Sequence, residues 1–312
     1  MEKTFVIAVA GPTASGKTEL GVRLAEHYGG EVVSADSMQI YKKMNIATAK
    51  PTKEEMRGIP HHLIDFVEPT ESYSVARYKT DAQNAIEDIT SRGKVPILVG
   101  GTGLYIDSLL ENIEFFDAEV DESLRQKLYE RAEAEGTEKL YSELSEIDPR
   151  SAEKIHSNNI KKVIRALEIY YATGRRISEQ VDLSRLSGTP YECVIIGLTS
   201  NDRQYLYDRI NRRVDKMLEL GLLEEAKEFY SVYGVKTANQ AIGYKEILPY
   251  LQGEKSLEEC VEHLKMQTRR YAKRQLTWFR KNEKIKFLSI DELDKDELFN
   301  AATEIIDSGR TK

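Results

Sequence analysis

The sequence predicts an α/β fold, a parallel sheet flanked by helices and interrupted by a helical insertion. Three observations predict it. Short apolar runs alternate with amphipathic stretches, the first run ends in a glycine-rich turn that opens a helix, and one long charged stretch contains no strand-like run at all. The runs are Thr4 to Ala10, Glu31 to Ser34, His62 to Phe66, Val95 to Val99 and Cys193 to Leu198. Their apolar continuity fits strands covered on both faces. From Asp121 to Gly174 the chain is rich in Glu, Lys and Arg, with a cap signal at Asp148-Pro149, and reads as helices inserted between the fourth and fifth strands. Residues 203–230 and 257–281 read as long amphipathic helices, and the polar end of the chain is expected to fray. The expected division is a discontinuous core at 1–117 and 191–290, an insertion at 118–190 and a tail at 291–312.

Composition excludes several classes. The chain has 312 residues, 40% apolar and 31% charged, with 19 Gly and 8 Pro, which is the composition of a folded globule rather than a low-complexity chain. Cys193 and Cys260 stand alone, so neither a disulfide framework nor a zinc finger is expected, which suits a reducing compartment. The apolar run Phe5 to Ala10 is too short for a signal peptide or a membrane span, so a cytoplasmic protein is expected. Net charge is −7, a weak argument against a polyanionic partner. The distribution reverses it: Lys265 to Lys286 contains nine Lys/Arg and one acid, Glu283. An anion-binding face can sit on an acidic protein.

Gly11-Pro12-Thr13-Ala14-Ser15-Gly16-Lys17-Thr18 matches GxxxxGK[ST] between a strand and a helix, the context a phosphate loop requires, and makes the fold P-loop NTPase-like. Backbone N–H groups and the helix N-terminus form a cradle for phosphate oxygens, Lys17 adds a point charge, and the Thr18 hydroxyl is placed to reach a Mg²⁺. The loop does not say which phosphate compound it holds. The fourth strand ends in Gly100-Gly101-Thr102-Gly103 instead of the acid that ATPases use for Mg²⁺. Asp65 is a substitute for that acid or an ordinary turn residue. Ser34-Ala35-Asp36-Ser37-Met38-Gln39 ends the second strand at the sheet edge where such folds bind ligands, so Asp36 is either a base or an Asx turn.

Around residues 264–284, at about 100° per residue, the basic residues 269, 270, 273, 274, 280, 281 and 284 fall within roughly 0–140° of Arg269. Leu264, Tyr271, Ala272, Leu276, Trp278 and Phe279 fall within roughly 180–340°, so Tyr271 and Trp278 are expected in the core. So pure a positive face fits a phosphate backbone better than a solvated surface of mixed charge. Arg209 and Arg213 share a face and either reach one anion or pair with Asp208 or Asp215. His61-His62 are expected to pack or cap rather than bind metal.

The chain resembles the tRNA dimethylallyltransferases, the isopentenyl transferases that prenylate the adenosine beside the anticodon, position 37 of the tRNA. The resemblance rests on GPTASGKT at 11–18, SADSMQIYKKMNIATAKP at 34–51, HHLIDFVEP at 61–69, LVGGTGLYIDSLL at 98–110, NNIKKVIRALEIY at 158–170, QAIGYKE at 240–246 and TRRYAKRQLTWFRK at 268–281. It implies that the loop Gly11 to Thr18 holds the diphosphate of dimethylallyl diphosphate with Mg²⁺, which explains the missing acid. It further implies that Asp36 is the general base, Thr102 its partner on the adenine amine, and Lys17 and Arg209 diphosphate ligands. Arg125 is similar to a tRNA contact, and the tRNA-contacting regions of the family match Asp36, Ser37, Met38 and Gln39, then Lys161, Lys162 and Arg165. They also match Gln240, Gly243, Tyr244 and Lys245, and Arg269, Arg270, Lys273, Arg274 and Arg280. At 158–162 the chain reads Asn-Asn-Ile-Lys-Lys where the family pattern has an acid at 159 and arginine at 162. The zinc finger of eukaryotic relatives is absent, which points to the bacterial form, and a monomer is expected. Two other functions remain open on the residues alone: a nucleoside or nucleotide kinase, which needs a γ-phosphate donor, and a nucleotide-dependent RNA-binding switch.

Overall fold

The structure, a computed structural model, describes residues 3–115, 122–233 and 241–310. The chain forms two compact units, Met1–Leu109 with Pro190–Lys312, and Leu110–Thr189.

The first unit is built on six parallel strands: β1 (Thr4–Ala10), β2 (Gly30–Ala35), β3 (His61–His62), β4 (Val95–Gly100), β5 (Tyr191–Thr199) and β6 (Ile285–Ser289), in the order β3-β2-β4-β1-β5-β6. In β1 every side chain from Val6 to Ala10 is buried, as expected of a strand covered on both faces. Helices α1 (Lys17–Tyr28), α2 (Lys53–Met56), α3 (Val75–Ser91) and α4 (Gly103–Leu110) follow the early strands. After β5 come α10 (Arg203–Glu219), α11 (Leu222–Tyr233), α12 (Tyr244–Leu251), α13 (Leu257–Phe279) and α14 (Lys295–Arg310). One core cluster joins Ile7 and Ile97 of the sheet to Leu24 of α1, Ile210, Ala272 and Ile306. A second gathers Ile40 and Met44 against Phe229, Tyr244 and Leu264.

The second unit is entirely helical among the described residues: α5 (Glu122–Glu135), α6 (Thr137–Ile147), α7 (Pro149–Ala152), α8 (Ile160–Thr173) and α9 (Ile177–Ser187). Leu128, Leu140, Leu144, Val163 and Leu167 form its core. Asp148 starts α7 as the sequence suggested, accepting from Ser151 N–H at 3.2 Å, Ser151 Oγ at 2.6 Å and Ser178 N–H at 3.0 Å.

Four expectations need correction. The strand expected at 62–66 is only His61–His62, because Leu63 and Asp65 take left-handed φ values of 60° and 57° that end the extended backbone. The single helix expected over 203–230 is two, broken at Leu220-Gly221, where φ of Gly221 is 96°. Lys281 and Lys284 lie beyond the end of α13, so they do not share its wheel. The expected fraying is not seen over the described residues up to 310: β6 extends the sheet, and α14 buries Ala302 and Ile306 completely in the first core cluster. Its Asp296 pairs with Arg23 at 2.8 Å, and Lys295 with Glu19 at 2.8 Å.

Candidate functional site

β1 delivers Gly11 to the sheet edge, and the loop to Gly16 curls over the start of α1. Ala14 sits there with a left-handed φ of 62°, and its carbonyl accepts from Arg209 Nε at 2.8 Å. Pro12 carbonyl accepts from Lys17 Nζ at 3.2 Å. Gly11, Pro12, Ala14 and Ser15 are buried, Thr13 and Thr18 half-buried, and Gly16 exposed. Lys17 and Thr18 line a pocket with Ser34, Asp36, Gln39 and His61.

Two strand ends converge on this loop, as the sequence predicts. β2 and β4 run so close at their ends that a Cβ at Gly100 would overlap the Ala35 carbonyl, so glycine permits the approach. Thr102 N–H then donates to the Ala35 carbonyl at 3.1 Å, and Thr102 Oγ1 accepts from Ser37 N–H at 3.0 Å. Asp36 makes the Asx turn: Oδ1 accepts from Met38 N–H at 2.9 Å and Gln39 N–H at 3.3 Å, while Oδ2 accepts no hydrogen bond among the described residues. The turn holds one oxygen and leaves the other for a ligand, so the two readings of Asp36 are compatible.

The pocket is electrostatically unbalanced. Burial and the neighbouring Arg213 push the Lys17 ammonium down to about 8, against the opposing pull of Asp36. Burial likewise lowers Arg213, again opposed by Asp36 and also by Glu55. Neither Lys17, Arg209 nor Arg213 forms an ion pair among the described residues, so the pairing of Arg209 or Arg213 with Asp208 or Asp215 is not seen. Lys17 and Arg213 face Asp36, and Arg209 borders the loop at Ala14, which leaves positive charge that an anion would neutralise.

Two residues that the sequence did not single out complete the site. Gln275 of α13, 6% exposed, accepts from Thr13 N–H at 2.9 Å and donates from Nε2 to Gly101 carbonyl at 2.8 Å. It clasps the phosphate loop to the turn that bears Thr102. A signal was present, since Gln275 falls at roughly 240° on the helix wheel, a polar residue inside the apolar arc. Glu225 of α11 accepts from the N–H groups of Asn45 (2.9 Å), Ile46 (2.8 Å) and Ala47 (3.0 Å) and from Tyr244 hydroxyl at 2.8 Å. It fixes the loop that follows Gln39, and no local sequence signal joins residues that far apart.

The remaining expected contacts divide. Arg270, Lys273, Arg274 and Arg280 are exposed and form no ion pair among the described residues. Arg269 is half-buried, with its guanidinium donating to Asn211 Oδ1 at 2.6 Å and lying 5.8 Å from the Tyr207 ring. Ser37 and Met38 are half-buried beside Asp36, and Gln39 donates its amide to the Thr48 and Ala49 carbonyls at 3.1 Å each. Lys161 and Lys162 are exposed, whereas Arg125 and Arg165 both bind the buried Glu168 carboxylate at 2.9 Å. Tyr244 corrects the expectation, being fully buried with its hydroxyl on Glu225, so its ring is not offered to RNA. Gly243 is buried, Lys245 is exposed 3.7 Å from Glu246, and Gln240 lies outside the described residues. Tyr271 is half-buried, with its hydroxyl toward Thr102 and Asp36, and burial raises its ionisation well above the ordinary phenol value. Trp278 corrects the core assignment, because it is 43% exposed.

Asp65 pairs with Lys50 at 2.6 Å in its left-handed turn, and the sheet edge supplies no acid from β4. His62 bonds Glu31 at 2.7 Å and His61 the Ile59 carbonyl at 2.8 Å. No group of three or more His, Cys, Asp or Glu among the described residues is arranged to hold an ion.

The family model described as IPP transferase matches residues 39–282. The chain is 54% identical over 294 residues to a tRNA dimethylallyltransferase of Acetivibrio thermocellus, covering 94% of each chain. It is 52% identical to one from Caldanaerobacter subterraneus subsp. tengcongensis, covering 92% of each. Among solved structures it resembles the full-length tRNA isopentenylpyrophosphate transferase of Bacillus halodurans, with a TM-score of 0.72 and 44% identity over 99% of both chains. It also resembles a eukaryotic dimethylallyltransferase captured acting on tRNA, with a TM-score of 0.77 and 36% identity over 92% of this chain and 74% of that one.

Proposed function

The chain belongs to the IPP transferase family, and from that premise we propose that it transfers a dimethylallyl group from dimethylallyl diphosphate to the N6 amine of the adenosine adjacent to the anticodon of tRNA. One observation carries the assignment to these residues: Asp36 and Thr102, from two strand ends, stand beside a phosphate loop whose cations Lys17, Arg209 and Arg213 form no ion pair among the described residues.

The N6 lone pair is delocalised into the adenine ring, so its attack on the allylic carbon needs help at both ends. As the new C–N bond forms, Asp36 Oδ2 accepts the N6 proton, and Thr102 orients the amine. The allylic C–O bond breaks toward the loop, where backbone N–H groups of Gly11 to Thr18, Lys17 and Arg209 receive the growing negative charge of diphosphate. The products are N6-dimethylallyl adenosine, diphosphate and one proton. A Mg²⁺ fits a hydroxyl-and-diphosphate site at Thr18 better than a carboxylate cage, and when bound it would neutralise diphosphate charge.

The base reaches the pocket by leaving its stack, which costs least in a single-stranded loop, so an anticodon stem-loop is the favoured substrate. The exposed face of Arg270, Lys273, Arg274 and Arg280 takes its phosphates. No helix among the described residues is long and apolar enough to cross a membrane. A monomer acting in the cytoplasm accords with this reading. The experiment supplies the protein with Mg²⁺, stem-loop RNA and either dimethylallyl diphosphate or ATP, with RNA mass as the readout. A gain of one dimethylallyl group from the first donor is expected. Consumption of ATP alone would replace this function with a kinase.

A further inference from the structure

The chain has a single tryptophan, and the structure leaves it in an unusual place. Trp278 is 43% exposed near the end of α13, yet it is held on two sides. Its Nε1–H donates to Asp107 Oδ2 at 2.6 Å. Its pyrrole edge lies so close over Gly103 that a Cβ there would overlap Cδ1 and Nε1. Gly103 directly follows Thr102, so the indole is fixed within one residue of the group that the proposed mechanism places on the adenine amine.

The surroundings narrow what such a ring would meet. Leu104, three residues from Asp107 on α4 and on its side of that helix, is also exposed, at 41%. Arg274, one turn before Trp278, and Arg280 and Lys281, just after it, are exposed cations. An exposed apolar spot with Asp107 bound at the indole nitrogen and cations along the same helix end suits a ligand with a flat apolar face and a phosphate, which is a nucleotide. A rigid aromatic ring beside a basic track is how single-stranded nucleic acid is commonly held, by stacking.

Building on the function proposed above, we propose that Trp278 is a stacking platform for a nucleotide flanking the reacting adenosine, so that the extruded base enters the pocket while its neighbour rests on the indole. Trp278 thereby recognises single-stranded RNA next to the modified position rather than filling the core.

Because there is one tryptophan, intrinsic fluorescence reads this stacking directly. Wild-type protein is titrated with an anticodon stem-loop RNA, with the same RNA made abasic 5′ or 3′ of the target adenosine, and with one made abasic across the loop. Saturable quenching by the intact RNA is expected, abolished for one of the flanking abasic RNAs together with a fall of about 5- to 100-fold in affinity. Quenching that survives both flanking lesions, or binding without quenching, would overturn the proposal. Trp278→Ala should raise KM for RNA by a similar factor with KM for dimethylallyl diphosphate unchanged, and Trp278→Phe should restore most of it. An equal rise in both KM values would make the ring merely structural. Prenylation of the intact stem-loop by the wild type, read in the same samples, tests the underlying function separately.

Discussion

Two groups of arginine and lysine look alike in sequence and differ in the structure. At the sheet edge, Lys17 and Arg213 face Asp36, Arg209 borders the phosphate loop, and none of the three forms an ion pair among the described residues, so their charge awaits a ligand. In the helical unit, Arg125 and Arg165 both rest on Glu168, which is 1% exposed. That pairing leaves one net positive charge fixed in place. The difference is one of pairing: the cations at the sheet edge keep their charge for a ligand that the proposed function supplies, whereas Arg125 and Arg165 are held in place by a buried acid of the protein and give up half their charge to it.

The largest expected effect lies at the sheet edge. Lys17→Ala removes a charge that would stabilise the leaving group, and the rate should fall by about 10²–10³-fold with a raised KM for dimethylallyl diphosphate. Steady-state kinetics in both substrates check this, and a change confined to the KM for RNA would break the contrast. Glu168→Ala should act only on the helical unit. Its two arginines are each more than a third exposed, so the loss is expected at about 1–3 kcal/mol of stability by denaturant unfolding, with weaker RNA binding and unaltered donor affinity.

A pH titration sharpens the comparison further. With Lys17 held down to about 8, its ammonium predominates below that pH and turns neutral above it. Donor affinity should therefore hold below pH 8 and decline above it, toward about tenfold per pH unit, while RNA binding by the arginine face stays level. Calorimetric titration of the donor across pH 6.5 to ~9.5 checks the sign. The smallest effect belongs to the exposed face of α13: replacing Arg270 and Arg274 with Ala should lower the salt slope of RNA binding by about 0.7–0.9 for each phosphate no longer neutralised. An unchanged slope would return both to the solvated surface.

What was legible in the sequence was local in the chain. The phosphate loop, the acid at Asp36 and the turn at Gly100-Gly101-Thr102-Gly103 sit next to the strands that place them, so strand periodicity positions them all at one edge. His62 to Phe66 misled because its apolar pattern says nothing of the left-handed Leu63 and Asp65. Residues 291–310 misled in the opposite direction, since their burial comes from docking on the body of the first unit rather than from local hydropathy, and the strand at 285–289 was missed for the same reason. Glu225 was invisible, and Gln275 showed only as a polar residue on an apolar arc, because the hydrogen bonds that give them their roles join residues well over a hundred positions apart. Trp278 does lie on the apolar arc of its helix, but that arc ends at the surface over Gly103.

In the proposed reaction Asp36 acts on the proton of the N6 amine and not on the donor. Single-turnover prenylation of an anticodon stem-loop by Asp36→Asn, with saturating dimethylallyl diphosphate, tests this most directly. The rate should fall by about 10²–10⁴-fold while the donor affinity stays within a few-fold of wild type. A rate near that of the wild type would show that another group takes the proton and would contradict the role given to Asp36.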